Sequence, residues 1–122
     1  MYGKLSTSLL AELIGTFALI FIGAGAGALR INIVGVAFAH GLVVLGMAYA
    51  YGHISGAFIN PAVTIGVWAA GKIESTRAVA YIVVQLIGGT LGALALCWVL
   101  GGSATGLGAT TLAKSLQVGD AT

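Results

Sequence analysis

The hydrophobic and polar positions of this chain form three long apolar runs, at about residues 8–29, 33–51 and 78–100. Each run is long enough for a helix to cross a hydrocarbon core of about 30 Å, because a spanning helix needs about 20 mainly apolar residues. One strongly polar side chain interrupts each run, and in chain order these are Glu12, His40 and Gln85. The pattern predicts an all-α membrane protein with three transmembrane helices.

The stretch between the second and third runs predicts a fourth, shorter helix. Asn60 is a favoured N-cap, because its side-chain oxygen can accept from a free N–H of the first turn, and Pro61 suits the first helical position, where no N–H is missed. We expect this helix from Ala62 over about residues 62–70, with Gly71 as its C-terminal stop. At 1.5 Å per residue it is about 15 Å long, which is about half of a hydrocarbon core.

A half-length helix after glycine- and serine-rich extended chain is costly in lipid, where each unpaired backbone N–H or C=O group costs several kcal/mol. Such backbone is tolerated where it packs in protein or lines a wet cavity. We therefore interpret residues 52–70 as a re-entrant segment that reaches the middle of the membrane and lines a pore. The alternative is an interfacial loop followed by a short surface helix.

Composition supports the membrane class, since 59% of the residues are hydrophobic and 7% are charged, with a mean hydropathy of +1.09. The net charge of +2 is small and scattered, so no nucleic-acid partner is expected. Lys4, Lys72 and Arg77 fall on one side of the predicted topology, and Arg30 and Lys114 fall on the other. This small bias favours a cytoplasmic N-terminus.

Two stretches carry a resemblance to a known family, namely ELIGTF at residues 12–17 and GHISGAFINPAVT at residues 52–64. Together with Gln85 in the third run, they make the chain similar to the N-terminal half of the major intrinsic proteins, the aquaporins and glyceroporins. Members of that family have two inverted halves, whose half-helices meet at their Asn-Pro-Ala ends in the pore centre. The resemblance implies one such half over residues 1–100, followed by an exposed central loop or tail at residues 101–122.

The resemblance also implies which residues face the pore. Asn60, beside Pro61 and Ala62 of the motif, would cap its helix with the side-chain oxygen and direct its amide N–H groups into the lumen. The dipole of the half-helix adds partial positive charge there, which disfavours cations. The expected acceptor ladder consists of the backbone carbonyls of Gly56, Ala57 and Phe58. The expected apolar wall consists of Ile59, Val63, Leu19 and Val44.

His40 occupies the position at which the second helix of the family contributes to the narrow aromatic/arginine filter. That position is usually phenylalanine in orthodox water channels and tryptophan in glycerol channels, whereas histidine resembles the tonoplast-intrinsic type and the ammonia- and peroxide-permeable animal type. An imidazole adds a hydrogen-bonding group and is narrower than an indole, so it favours small polar solutes over glycerol. The alternative is a histidine that hydrogen bonds within the helix bundle, although ionisable residues inside membranes are usually functional.

Glu12 is expensive in lipid unless it faces the bundle, and the family uses this glutamate to accept hydrogen bonds from the re-entrant loop. We expect Gln85 to act similarly, and a proton relay is the alternative for Glu12. Phe58 stands where the family more often has histidine, which removes one side-chain partner for Glu12. His40 and His53 lie on different segments without Cys, Asp or Glu to complete a ligand set, so neither a metal site nor a cofactor is expected.

The sequence therefore predicts a passive channel for water and for small neutral solutes such as ammonia and hydrogen peroxide, and not an enzyme. It is expected to be a multi-pass protein of the plasma (inner) membrane, in contact with the lipid bilayer. This chain would form only the first half of the pore, so its partner is either a missing second half or a second copy, and the resemblance implies tetramers. The alternatives are a half-channel that works as an antiparallel dimer and a non-conducting three-pass scaffold.

Overall fold

The computed structural model describes residues 2–102 and 106–109, and each regular element within these ranges is helical. Three helices are long and apolar enough to cross a membrane by length and composition, and we name them α1 (Leu5–Ala28), α2 (Ile33–Ser55) and α4 (Ser75–Val99). The shorter helix α3 spans Pro61–Ala69. The predicted all-α architecture with three candidate spans is confirmed.

The largest difference between a predicted and an observed helix end is at the C-terminus of α2. Helix α2 does not stop at Tyr51 but continues through Gly52 to Ser55, and it ends where Gly56 adopts a left-handed conformation with φ +92°. One interior glycine costs only about 1 kcal/mol, which a long helix tolerates, whereas a left-handed glycine is a common helix end. His53 therefore lies in the last turn of α2.

Helices α1 and α4 approach each other closely along a row of glycines on α4. A Cβ atom built on Gly88 would overlap the carbonyl oxygen of Leu13, and one built on Gly92 would lie 2.7 Å from the carbonyl oxygen of Phe17. Small residues allow this kind of backbone approach, which is the usual basis of helix packing in membranes.

A polar cluster ties the C-terminal end of α2 to the other two long helices. The hydroxyl of Ser8 donates to the carbonyl of Ile54 at 2.8 Å, and the hydroxyl of Tyr81 donates to the carbonyl of Ser55 at 2.9 Å. Arg77 donates to the Ser8 hydroxyl at 3.1 Å. The last carbonyls of a helix have no partner within the helix, so these bonds satisfy groups that would otherwise be unpaired.

Helix α2 has little protein around it, because only Val43 and Ser55 of its residues are buried. Its mean hydropathy over the spanning window is 2.0, so an apolar surface is left uncovered. A helix that is apolar on all sides needs lipid or protein around it. We use the name open face for the exposed residues of α2 and of the beginning of α3, which include His40, Val44, Asn60 and Val63. The predicted loop or tail at 101–122 lies mostly outside the described residues, which there are 101–102 and 106–109 and form a short turn at Gly106–Gly108.

Candidate functional site

Helix α3 begins and ends as its local chemistry predicts. The side-chain oxygen of Asn60 accepts from the backbone N–H of Ala62 at 2.8 Å, and Pro61 occupies the first turn. At the other end Gly71 has φ +69°, and the N–H of Lys72 donates to the carbonyl of Val67 at 3.1 Å. This is the paired-bond pattern of a glycine-terminated helix. The predicted N-cap and the predicted stop are both confirmed.

The start of α3 lies about halfway along the long helices. Ile59, the residue before Asn60, packs against Gly15 of α1, and Thr64 hydrogen bonds to Gln85 of α4. Gly15 and Gln85 each lie roughly 15 Å from the beginning of their helices at 1.5 Å per residue. Helix α3 has nine residues and starts at this depth. It runs back toward the end of the bundle from which the loop entered. The segment is therefore re-entrant with respect to the three-helix bundle.

Glu12 is fully buried beneath the loop and accepts four hydrogen bonds. One carboxylate oxygen accepts from the Ser55 hydroxyl at 2.6 Å and from the N–H of Phe58 at 3.0 Å. The other accepts from the N–H of Ile59 at 2.6 Å and from the side-chain amide of Gln85 at 2.8 Å. All four partners donate to the carboxyl oxygens of Glu12. The partner at Phe58 is the backbone N–H, which does not depend on the side chain at that position.

The loop backbone is held in an unusual conformation. Gly56, Ala57 and Ile59 all have positive φ, at 92°, 50° and 44°. For a residue other than glycine such a conformation costs about 1–3 kcal/mol and persists only where neighbouring contacts support it. Here one supporting contact is local and one is distant in sequence, since the Ser55 hydroxyl accepts from the N–H of Ala57 at 3.0 Å and Glu12 of α1 accepts from the N–H of Ile59.

Gln85 joins the glutamate to the half-helix. Its amide nitrogen donates both to Glu12 and, at 2.9 Å, to the hydroxyl of Thr64, whose own hydrogen can reach the carbonyl of Asn60 at 3.1 Å. Sequence reasoning missed both Ser55 and Thr64, which are fully buried. The available signal was that each is a small polar residue within the resembling stretch at residues 52–64, among mainly apolar neighbours.

The loop carbonyls and the amide nitrogen of Asn60 are left unpaired by the residues that the structure describes. None of those residues donates a hydrogen bond to the carbonyl oxygens of Gly56, Ala57 or Phe58, and none accepts one from the side-chain nitrogen of Asn60. Asn60 itself is exposed on the open face. A row of free acceptors thus precedes a free donor at mid-depth.

The predicted apolar wall is only partly exposed. Val63 and Val44 are 47% and 44% exposed on the open face, and Leu19 is half-buried. Ile59 is 3% exposed, so the prediction that it lines the wall is wrong. Its backbone N–H is bound to Glu12, and its side chain occupies the space that a Cβ on Gly15 would need. Packing against α1 therefore removes Ile59 from the open face.

His40 is exposed on α2 and lies in the N-terminal half of that helix, whereas the exposed His53 lies near its C-terminal end. Its Nδ1 atom lies 2.9 Å from the carbonyl oxygen of Val36, and its ring lies against Gly23 of α1. Among the described residues no three His, Cys, Asp or Glu side chains come together in a way that could hold a metal ion.

This arrangement defines a class of membrane protein, in which spanning helices surround a re-entrant loop and half-helix braced by a buried glutamate. The family model described as "Major intrinsic protein" matches residues 3–122. The chain belongs to the major intrinsic protein family.

Two curated relatives carry the name Aquaporin Z. The one from Photorhabdus laumondii is 48% identical over 110 residues, which cover 84% of this chain and 47% of that protein. The one from Rhodopseudomonas palustris is 43% identical over 104 residues, which cover 80% of this chain and 43% of that protein. The chain thus matches slightly less than half the length of these relatives.

Proposed function

We propose that this chain forms one half of a transmembrane channel that conducts water passively. The observation that carries the proposal is the row of unpaired groups that runs from the end of α2 to mid-depth, where the carbonyls of Gly56, Ala57 and Phe58 lead to the exposed amide of Asn60. Unpaired polar backbone at this depth is costly unless it lines a wet cavity. Its presence beside two exposed valines favours a lumen lined on one side by hydrogen-bonding groups and on the other by apolar groups.

The physical mechanism follows from the direction of these groups. Carbonyl oxygens accept from water hydrogens, and the Asn60 amide then donates to the water oxygen. The dipole of α3 places roughly +0.5 charge at the same point, which opposes the passage of cations. A water oxygen has two acceptor positions, so Asn60 occupies only one of them, and full exclusion of a proton relay would need a second donor from the other half of the pore.

The second half of the pore is proposed to cover the open face. The relatives named Aquaporin Z are about twice as long as the part that this chain matches, and α2 leaves an apolar surface uncovered. We further propose that His40 contributes to a filter that admits small neutral solutes such as ammonia and hydrogen peroxide. The plasma (inner) membrane, a cytoplasmic N-terminus and a tetrameric assembly remain predictions.

The test compares water permeability of proteoliposomes that contain the chain alone with those that contain the chain fused to the second half of the Photorhabdus laumondii relative. We call this fusion the completed channel. We expect fast osmotic shrinkage only for the completed channel. Fast shrinkage with the chain alone would instead support an antiparallel dimer. A completed channel that is helical and monodisperse but does not conduct would support the scaffold alternative and contradict the proposal.

A further inference from the structure

The imidazole of His40 lies in a space that exists because residue 23 is a glycine. A Cβ atom built on Gly23 would lie 2.6 Å from Nε2, 2.7 Å from Cδ2 and 3.0 Å from Cε1 of the ring. Ordinary contacts of a Cβ atom are 3.4–4 Å, so an alanine at this position would force the ring to move. Three ring atoms are involved, and the contact is therefore a close packing of the whole ring edge.

Gly23 lies in an unusual part of α1. The helix changes to a π-helical turn over Leu19–Ala24, which is the only such turn among the described residues. Turns of this kind are rare in proteins and frequent at functional sites. Gly23 is the buried residue of the turn, whereas His40 is exposed on the neighbouring helix. The turn and the glycine together bring the backbone of α1 beneath the ring.

The second contact of His40 determines which ring nitrogen carries the proton. A backbone carbonyl can only accept, so Nδ1 must donate to the Val36 carbonyl at 2.9 Å. In a neutral imidazole the other nitrogen, Nε2, is then an acceptor. None of the described residues hydrogen bonds to Nε2.

We propose that Gly23 is a positioning residue for His40 and thereby a determinant of the width of the passage. It lets the ring lie back against α1, with Nδ1 bound to Val36 and with Nε2 as the ring atom nearest to residue 23. A side chain at residue 23 displaces the ring toward the open face, narrows the passage and removes the preference for one tautomer. This inference rests on the proposed channel function, but its geometric part can be measured without conduction.

The first experiment measures the ring directly. Imidazole nitrogen and carbon NMR shifts of histidine-labelled chain and completed channel, in lipid nanodiscs, report which nitrogen is protonated, and His40→Asn identifies the signals. We expect the Nδ1–H tautomer at His40, and in Gly23→Ala a loss of about fivefold in its preference, as expected for one hydrogen bond. Gly46→Ala is the matched control, since a Cβ there would meet nothing within 4 Å. A predominant Nε2–H tautomer, or unchanged ring signals in Gly23→Ala, would overturn the proposal.

The second experiment measures ammonia and water flux through the completed channel. We expect a severalfold loss of both in Gly23→Ala, and no further effect of that change when His40→Ala has removed the ring. The same double variant addresses folding, because recovery of a poorly folded Gly23→Ala protein by His40→Ala supports the proposed clash. If Gly23→Ala lowered flux or folding equally in the protein with His40 and in the His40→Ala protein, the proposed clash would be contradicted. A completed channel without any conduction contradicts the channel function, while the NMR result still decides the geometry.

Discussion

The two sides of the re-entrant segment use polar groups in opposite ways. On the side that faces the bundle, Glu12, Gln85 and Thr64 are buried, and each is hydrogen bonded to neighbouring protein groups. On the open face, Asn60 and His40 each use one polar atom to hold their own conformation and leave the other without a partner among the described residues. The difference separates residues whose polar groups are bound within the bundle from residues that keep one polar atom without a partner among the described residues.

The largest effect should come from removing the carboxylate beneath the loop. Glu12→Ala leaves four donors without an acceptor, three of them buried, at about 1–3 kcal/mol for each buried unsatisfied group, so we expect a loss of at least about 3 kcal/mol of stability. Thermal or denaturant unfolding of the completed channel in detergent measures this loss. The exposed Glu74 is the matched control, and Glu74→Ala should change stability by less than about 0.5 kcal/mol. Equal effects of the two variants would contradict the bracing role.

A smaller loss is expected from crowding the contact between α1 and α4. Gly88→Ala places a methyl group against the Leu13 carbonyl, and overpacking of this kind costs about 1–3 kcal/mol. Gly66→Ala on α3 is the control, because a Cβ there meets nothing within 4 Å and alanine favours a helix. The free energy of unfolding of both variants is measured under the same conditions. A stabilised Gly88→Ala protein would show that α1 and α4 can move apart at little cost.

The next effect tests the link between α4 and the half-helix. Thr64→Val keeps the shape but leaves one Gln85 N–H without its partner, which should cost about 1–2 kcal/mol. Thr90→Val removes a hydroxyl that bonds only to the carbonyl of its own helix at Leu86, and we expect less than about 0.5 kcal/mol. Denaturant unfolding distinguishes the two variants. A larger loss at Thr90 would contradict the assignment of Thr64 to the brace.

The smallest change in stability should accompany a large change in function on the open face. Asn60→Asp keeps an oxygen that can cap α3 but removes the amide donor, so stability should change by less than about 0.5 kcal/mol. Water flux through the completed channel should fall severalfold, because the passing water loses its donor and meets a negative charge. Unchanged flux in a well-folded variant would remove Asn60 from the water path.

Features that depend on local chemistry could be predicted from the sequence. The three spans follow from apolar length, and the ends of α3 follow from Asn60, Pro61 and Gly71, whose effects act within one or two turns. Features that depend on a distant partner could not be predicted. Ile59 points into the bundle because Gly15, more than forty residues earlier, leaves room for it. Ser55 and Thr64 become important only when Glu12 and Gln85 arrive from other helices.

The hydrogen bond between Gln85 and Glu12 also has a consequence for biosynthesis. A ribosome makes the glutamate first, the loop next and the glutamine last, since they stand at residues 12, 56–60 and 85 of the chain. The left-handed loop therefore cannot acquire its full support while α4 is still being translated or inserted. Until Gln85 has been made, the nascent loop must remain hydrated or be shielded by the insertion machinery, and the brace can be completed only afterwards.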